Sequence, residues 1–285
     1  MDMKISKCIL TILVMLLLSR VALAQDTLEV KHVEAILFAG KDGKGPLVVG
    51  LGGSEGGNAW ASERWKGTRE KFLAKGYTFL ALGYFGSKGT PKLLDGIAID
   101  GVYAAIAAAK RHERVDSNLV AVIGGSRGAD LALLLASYYP DIDLVVGMSA
   151  SHAVFPGHTQ HFTSACWTFK GQDLPFIPVN DAAVPFLMKG ELRGTFSAMM
   201  RDSVAEQKAL IRVERIKGPI LLLSADRDEV IPAVEMADKM MARLKAYSYP
   251  YPYQHIVYQG SHAEPTRHFE VVLDFLDRCF LGRKQ

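Results

Sequence analysis

Cysteine is scarce in this chain, which has three among its 285 residues. Only Cys166 and Cys279 lie beyond the N-terminal segment, so at most one disulfide can form there. The sequence leaves open whether these two thiols pair or stay reduced and buried. Internal repeats and low-complexity tracts are also absent, and the length suffices for one large domain with a sizeable core.

A strong excess of charge is missing as well. The chain has 33 Lys and Arg against 30 Asp and Glu, a formal net charge of +3. Without residues 1–24, 30 basic and 29 acidic residues remain, a net charge of +1. This near-neutral balance gives no reason to expect nucleic acid or an anionic surface as a partner.

Long apolar runs are absent except near the N-terminus. Lys4 and Lys7 precede an apolar stretch at residues 8–18, and Ala-Leu-Ala at 22–24 fits the A-x-A cleavage pattern. The stretch is short for a bilayer span. We therefore predict that residues 1–24 are a signal peptide and that the chain is exported, to the periplasm or beyond the cell. We expect no stable membrane anchor after cleavage.

The most informative stretch is LVAVIGGSRGADLALLLASYYP, residues 119–140. Its apolar, β-branched start predicts a buried strand, and its Ala- and Leu-rich second half predicts a helix that ends before Pro140. Between them, residues 124–128 fit G-x-S-x-G. In a strand-to-helix turn this motif is typical of a nucleophile elbow, which would expose the Ser126 hydroxyl. A glycine-rich turn of a nucleotide-binding unit is the alternative, and we favour the nucleophile.

A serine nucleophile needs a base and an acid that orients the base. His262 follows a predicted strand at 254–258, at the sheet edge where open α/β sheets place their sites. The other histidines weighed for this role lie within predicted elements or far upstream: His32, His112, His255 and His268.

Two aspartates, Asp226 and Asp228, follow the predicted strand at 220–223. Either could orient the histidine, and either could instead form a turn or cap the next helix. We favour Asp228 as the acid.

The loop GGSEGG at residues 52–57 follows another predicted strand, at 47–51. The N–H of Gly53 or Ser54, together with the N–H of Arg127, could hold a developing oxyanion. The alternative is a merely flexible turn. A carboxylate beside an oxyanion would hinder it, so we expect Glu55 to point away.

Strands and helices alternate along the chain, which predicts an α/β fold with a mostly parallel sheet and helices on both faces. Helices are predicted at 63–74, 92–111, 129–139, 234–244 and 270–280. Residues 150–217 break this alternation and carry several prolines. We predict a partly helical cap there, with a helix at 195–215.

The predicted cap holds two sets of notable side chains. His152, His158 and His161 lack nearby Cys or acidic ligands, so we expect solvated histidines rather than a metal site, and no cofactor. The aromatic set could line an acyl pocket or form the core of the cap: Phe155, Phe162, Trp167, Phe169 and Phe176.

Five segments of the chain carry a family resemblance: IGGSRGADLALLLAS, PLVVGLGGSEGG, REKFLAKGYTFLALGYFG, DRDEVIP and GSHAEP. Over roughly residues 46–280 the chain resembles the catalytic domain of the acyl-CoA thioesterase and bile-acid-CoA:amino acid N-acyltransferase family. The last two pieces are shared with many α/β hydrolases, dienelactone hydrolases included. The resemblance implies an α/β-hydrolase domain over 25–285 and carries over Ser126, Asp228 and His262 as a triad.

Together these features predict a serine hydrolase of small carboxylic esters or acyl thioesters that forms an acyl-enzyme. Acyl transfer to an amine or alcohol is one alternative, and a catalytically silent binding protein of the same fold is another. The resemblance implies a cysteine nucleophile in the N-acyltransferases and a serine in the thioesterases, so Ser126 favours hydrolysis. The near-neutral, aromatic cap favours an apolar acyl group.

Overall fold

A computed structural model describes residues 24–40 and 43–280. The signal peptide is predicted at residues 1–24, and residues 1–23 of it lie outside the described residues. The strands within them are β1 (Ala24–Leu28), β2 (Glu34–Ala39), β3 (Gly45–Leu51), β4 (Thr78–Gly83), β5 (Ile97–Ala98), β6 (Val115–Gly125), β7 (Leu144–Met148), β8 (Trp167–Phe169), β9 (Gln172–Asp173), β10 (Ile220–Ala225) and β11 (Tyr253–Tyr258). Eight of these strands form one sheet in the order β1-β2-β4-β3-β6-β7-β10-β11, and β5, β8 and β9 form a small second sheet.

Helices cover both faces of the large sheet, as the alternation of elements predicted. Their bounds are α1 (Glu63–Ala74), α2 (Ile99–Lys110), α3 (Arg127–Tyr138), α4 (Val184–Met188), α5 (Leu192–Met199), α6 (Ser203–Ala209), α7 (Ala233–Ala246) and α8 (Phe269–Phe280). Short 3-10 helices lie at Ala59–Ala61, Val213–Arg215 and Glu264–Arg267.

The large sheet is parallel from β4 to β11, and the β1–β2 hairpin adds two antiparallel strands at one edge. All residues of β3, β4, β7 and β10 are buried, because each strand packs under helices on both sides. The carboxyl ends of the parallel strands therefore meet along one edge of the sheet, where the loops after β3, β6, β10 and β11 come together. The predicted fold class is confirmed.

Two predicted helices differ from the observed ones. The helix predicted at 92–111 begins only at Ile99, because Gly96 has a φ of +59° and Ile97 pairs with Trp167 of the cap. The helix predicted at 195–215 is split, since the Asp202 carboxylate accepts a hydrogen bond from Ala205 N–H and starts a new helix there. In both places contacts outside the segment override a good local helix pattern.

Residues 150–217, hereafter the cap segment, connect β7 to β10 and hold β8, β9 and α4 to α6. Among the described residues, no helix combines the length and the apolar character that crossing a membrane requires. Cys166 and Cys279 do not form a disulfide, and burial raises the pKa of the Cys166 thiol to about 12.

Candidate active site

Ser126 lies in a strained turn between β6 and α3. Its φ of 53° and ψ of −126° are rare for a residue with a side chain, and its N–H donates to Met148 O at 2.8 Å. A Cβ on Gly124 would collide with Gly128 O, and a Cβ on Gly128 would collide with Gly52 O. Both motif glycines are therefore required for strand, helix and neighbouring loop to pack this closely.

The GGSEGG loop packs directly against this turn. A Cβ on Gly53 would lie 3.1 Å from Gly125 O and 3.2 Å from Ser126 Cβ. The Tyr84 hydroxyl fixes the loop by donating to Gly52 O at 2.6 Å. Within residues 24–40 and 43–280, the N–H groups of Gly53 and Ser54 have no hydrogen-bond acceptor.

His262 and Asp228 come together at the same edge of the sheet. Asp228 Oδ2 lies 2.7 Å from His262 Nδ1, and Asp228 Oδ1 accepts the N–H groups of Val230 and Ile231, each at 2.9 Å. The Asp228 side chain is fully buried. A buried carboxylate with three donors holds the imidazole in one orientation, with Nε2 as the nitrogen left to act as a base.

Asp226, the rival acid, takes a different position. It is exposed, and its Oδ1 accepts the Gly260 N–H at 3.0 Å. This bond helps to hold residues 259–268, hereafter the histidine loop. Sequence reasoning missed two further supports of that loop. Ser149 Oγ donates to His262 O at 2.9 Å, and Glu229 Oε2 accepts the His262 N–H at 3.0 Å. Ser149 directly follows β7, a position that could have indicated its role.

Arg127 and Asp130 form a buried ion pair in the first turn of α3, directly after Ser126. Arg127 Nη1 is 3.4 Å from Asp130 Oδ2, and Asp130 Oδ1 accepts the Ser151 N–H at 2.7 Å. Burial raises the pKa of Asp130 to about 6, although Arg127 and Ser151 both act to lower it. The Arg127 guanidinium also lies near the rings of Phe155 and Phe196 and so links α3 to the cap segment.

Two cavities meet at Ser126 and His262. The first, the cap cavity, has a volume of about 610 Å³ and lies under the cap segment. Its walls are mainly apolar, and Arg127 and Asp130 are among the polar residues that line it. The apolar cap residues that line it are Phe162, Val179, Leu187, Leu192, Phe196 and Met199.

The second, the aromatic cavity, has a volume of about 350 Å³ and lies on the other side of the same two residues. Trp60, Trp65 and Phe269 line it. Glu55 lines both cavities, with Oε2 only 2.9 Å from the Cβ position of Gly53. The expectation that Glu55 points away was wrong, because the tight turn after Ser54 folds its side chain back over the loop.

The cap histidines do not share a site. His152 is 1% exposed and its Nε2 lies 2.7 Å from Glu206 Oε1, so the prediction of a solvated side chain was wrong here. His158 and His161 are exposed. In the part of the chain that the structure describes, no group of three His, Cys, Asp or Glu side chains could hold a metal ion. Of the predicted aromatic set, Phe162 lines the cap cavity, whereas Phe155 and Trp167 are core residues.

The fold and these side chains define an α/β hydrolase. Residues 103–263, more than half of the chain, match the family model described as BAAT / Acyl-CoA thioester hydrolase C terminal. The chain belongs to this family.

Curated relatives and solved structures agree with that assignment. The chain is 24% identical over 226 residues to mouse acyl-coenzyme A amino acid N-acyltransferase 1, covering 78% of this chain and 50% of that one. It is 26% identical over 202 residues to human acyl-coenzyme A thioesterase 1, covering 69% and 45%. The chain thus spans about half the length of the curated relatives it matches. A Pyrococcus furiosus esterase has the same fold, with a TM-score of 0.59, 19% identity and coverage of 90% and 91%.

Proposed function

We propose that this protein hydrolyses carboxylic esters or acyl thioesters through an acyl-enzyme on Ser126. The observation that carries the proposal is the His262–Asp228 pair at the wall of two cavities that also contain Ser126. The thioesterases among its relatives support the same chemistry.

The proposed reaction gives each of these groups a role. His262 Nε2 takes the proton of Ser126 as its oxygen attacks the acyl carbon, and Asp228 stabilises the imidazolium that forms. The N–H groups of Arg127 and of Gly53 or Ser54 hold the oxyanion, where the positive end of α3 also acts. His262 then protonates the leaving group as its bond to the acyl carbon breaks. In the second half, His262 takes a proton from water as the water attacks the acyl carbon, and returns the proton to Ser126 as the bond between Ser126 and the acyl group breaks.

Two features support the remaining parts of the proposal. The apolar walls of the cap cavity suit an apolar acyl chain, because burial of such a chain removes its surface from water. The N-terminal pattern at residues 1–24 supports export, so we propose that the protein acts outside the cytoplasm.

Acyl transfer to an amine is the second candidate, favoured by the similarity to N-acyltransferases. A product ratio separates the two. The enzyme is incubated with a medium-chain thioester or p-nitrophenyl ester plus excess glycine or taurine, and free acid is quantified against amide. Mostly free acid is expected; mostly amide would replace hydrolysis by transfer, and no product from any ester or thioester would overturn both.

A further inference from the structure

We propose that the aromatic cavity receives the leaving group and that Glu55 selects leaving groups carrying a cationic ammonium near the scissile bond. The inference rests on the proposed ester or thioester hydrolysis. It names a substrate class, esters of cationic amino alcohols, for the same site.

The position of His262 assigns the leaving group to the aromatic cavity. The leaving group must sit beside the nitrogen that protonates it. The histidine loop forms one wall of the aromatic cavity through Ala263 and Thr266, whereas it gives the cap cavity only His262 itself. The acyl chain then lies in the cap cavity, which is the larger and more apolar of the two.

Glu55 is a carboxylate that the proposed triad does not use. Its Oε1 and Oε2 lie 3.1 Å and 2.9 Å from the Cβ positions of Gly52 and Gly53, on the loop that would hold the oxyanion. The turn is held in place by a hydrogen bond from Gly57 N–H to Phe85 O at 2.9 Å. Among the described residues the Glu55 carboxylate has no hydrogen bond and no ion pair.

A carboxylate beside a forming oxyanion opposes the reaction, because like charges repel, although water screens part of this repulsion since Glu55 is exposed. A cation on the substrate removes this penalty by pairing with Glu55. A cationic substrate would thus pair with Glu55, which makes no ion pair with another described residue, and a neutral substrate would react against the repulsion from Glu55.

The aromatic rings of the cavity fit the same ligand. Trp60, Trp65 and Phe269 pack within 5.5 Å of one another, centroid to centroid, and all three line the cavity. Ring faces attract alkylammonium groups, which also bury apolar surface against them. Arg64 lies at the exposed side, with its guanidinium carbon 5.9 Å from the Trp65 centroid, and it makes no ion pair with Glu55 within the described ranges.

A pair of isosteric esters tests the proposal. Butyrylcholine and 3,3-dimethylbutyl butyrate have the same acyl chain and nearly the same shape, and differ in the charge of the leaving group. We expect the wild-type enzyme to favour butyrylcholine in kcat/KM by about tenfold, and Glu55→Gln to reduce this ratio to near one. Trp65→Leu should lower the ratio by about threefold, because it removes one ring face.

The matched control is Glu63→Gln, which makes the same charge change on a side chain that is 86% exposed and outside both cavities. Its ratio should stay at the wild-type value. Wild-type hydrolysis of both esters with a ratio near one, or a ratio unchanged in Glu55→Gln, would overturn the inference and leave the proposed hydrolysis standing. If neither ester, nor any other ester or thioester, is cleaved, the proposed function fails and the inference with it.

Discussion

The cap cavity and the aromatic cavity share Ser126, His262 and Glu55, and differ in almost everything else. The cap cavity is built by a long insertion between β7 and β10, and its walls are aliphatic and aromatic side chains from α4, α5 and the loops beside them. The aromatic cavity is built by loops of the α/β core itself, after β3 and β11. The proposed catalytic residues thus lie between a cavity formed by the insertion and a cavity formed by the α/β core.

This difference indicates how specificity is divided. The cap segment can change its cavity by changing side chains on short helices, without moving the strands that hold the proposed triad. The aromatic cavity cannot change as freely, because Trp60 and Phe269 also pack in the core against Phe79 and Phe72. We therefore expect acyl preference to respond to cap substitutions and leaving-group preference to respond to Glu55.

The largest effect on kcat should come from a substitution of Ser126, which lines both cavities. Ser126→Ala should lower kcat by about 10⁶ for every substrate, whichever cavity that substrate fills more fully. The substitution removes only one hydroxyl, so the urea midpoint should stay near the wild-type value. The measurement is hydrolysis of a p-nitrophenyl ester beside equilibrium unfolding. Near wild-type activity in the folded variant would show that another residue is the nucleophile.

A smaller common effect should separate the two aspartates. Asp228→Asn should lower kcat by about 10⁴, because the amide favours the wrong tautomer of His262. Asp226→Asn keeps an oxygen for the Gly260 N–H and should cost less than tenfold. Steady-state kinetics of both variants on one ester decides the assignment. The opposite ranking would make Asp226 the acid.

The sequence predicted the sheet and the strand–turn–helix around Ser126, because each depends on a short pattern, and the triad stays a prediction. Ser126 is set by its neighbouring glycines, and Asp228 and His262 lie three and four residues after the ends of β10 and β11. The sequence did not predict that His152 is buried, since this depends on a contact between segments distant in sequence. It did not predict the orientation of Glu55 either, which depends on the exact backbone turn of the 52–57 loop. The Glu206 carboxylate that pairs with His152 lies 54 residues away in the cap segment.

A substitution that narrows only the cap cavity should change only the preference for the length of the acyl chain. Leu192 lines that cavity at its partly exposed side, and Leu192→Trp should lower kcat/KM for octanoyl esters about tenfold relative to acetyl esters of the same alcohol. The choline preference should not change. Leu93→Trp is the control, because Leu93 is similarly exposed but lies outside both cavities. An unchanged chain-length profile in Leu192→Trp would contradict the assignment of the acyl chain to this cavity.

The smallest effect concerns how the cap segment is attached to the core. Burial raises the pKa of Glu206, but hydrogen bonds from Lys239 and His152 outweigh it and leave the pKa lowered. The stabilisation is therefore present above the ordinary glutamate pKa and is lost as pH falls through the lowered value. Glu206→Gln should cost about 1 to 2 kcal/mol of unfolding free energy near pH 7, and less in acid.

Urea unfolding at several pH values measures this difference. Glu235→Gln is the matched control, because Glu235 pairs with the same Lys239 at 3.4 Å but is more than half exposed. It should cost less than 0.5 kcal/mol. Equal losses in the two variants, or a loss in Glu206→Gln that grows in acid, would contradict the role given to the buried pair.

Labelling with a fluorophosphonate tests the central claim, that Ser126 is an activated nucleophile between the two cavities. The wild-type enzyme and Ser126→Ala are treated with the probe, digested and analysed by mass spectrometry. We predict one adduct in the wild-type enzyme, on the peptide that contains Ser126, and none in the variant. Labelling should also be slowed strongly in Asp228→Asn. An unlabelled wild-type enzyme, or an adduct on another residue that persists in Ser126→Ala, would contradict the account.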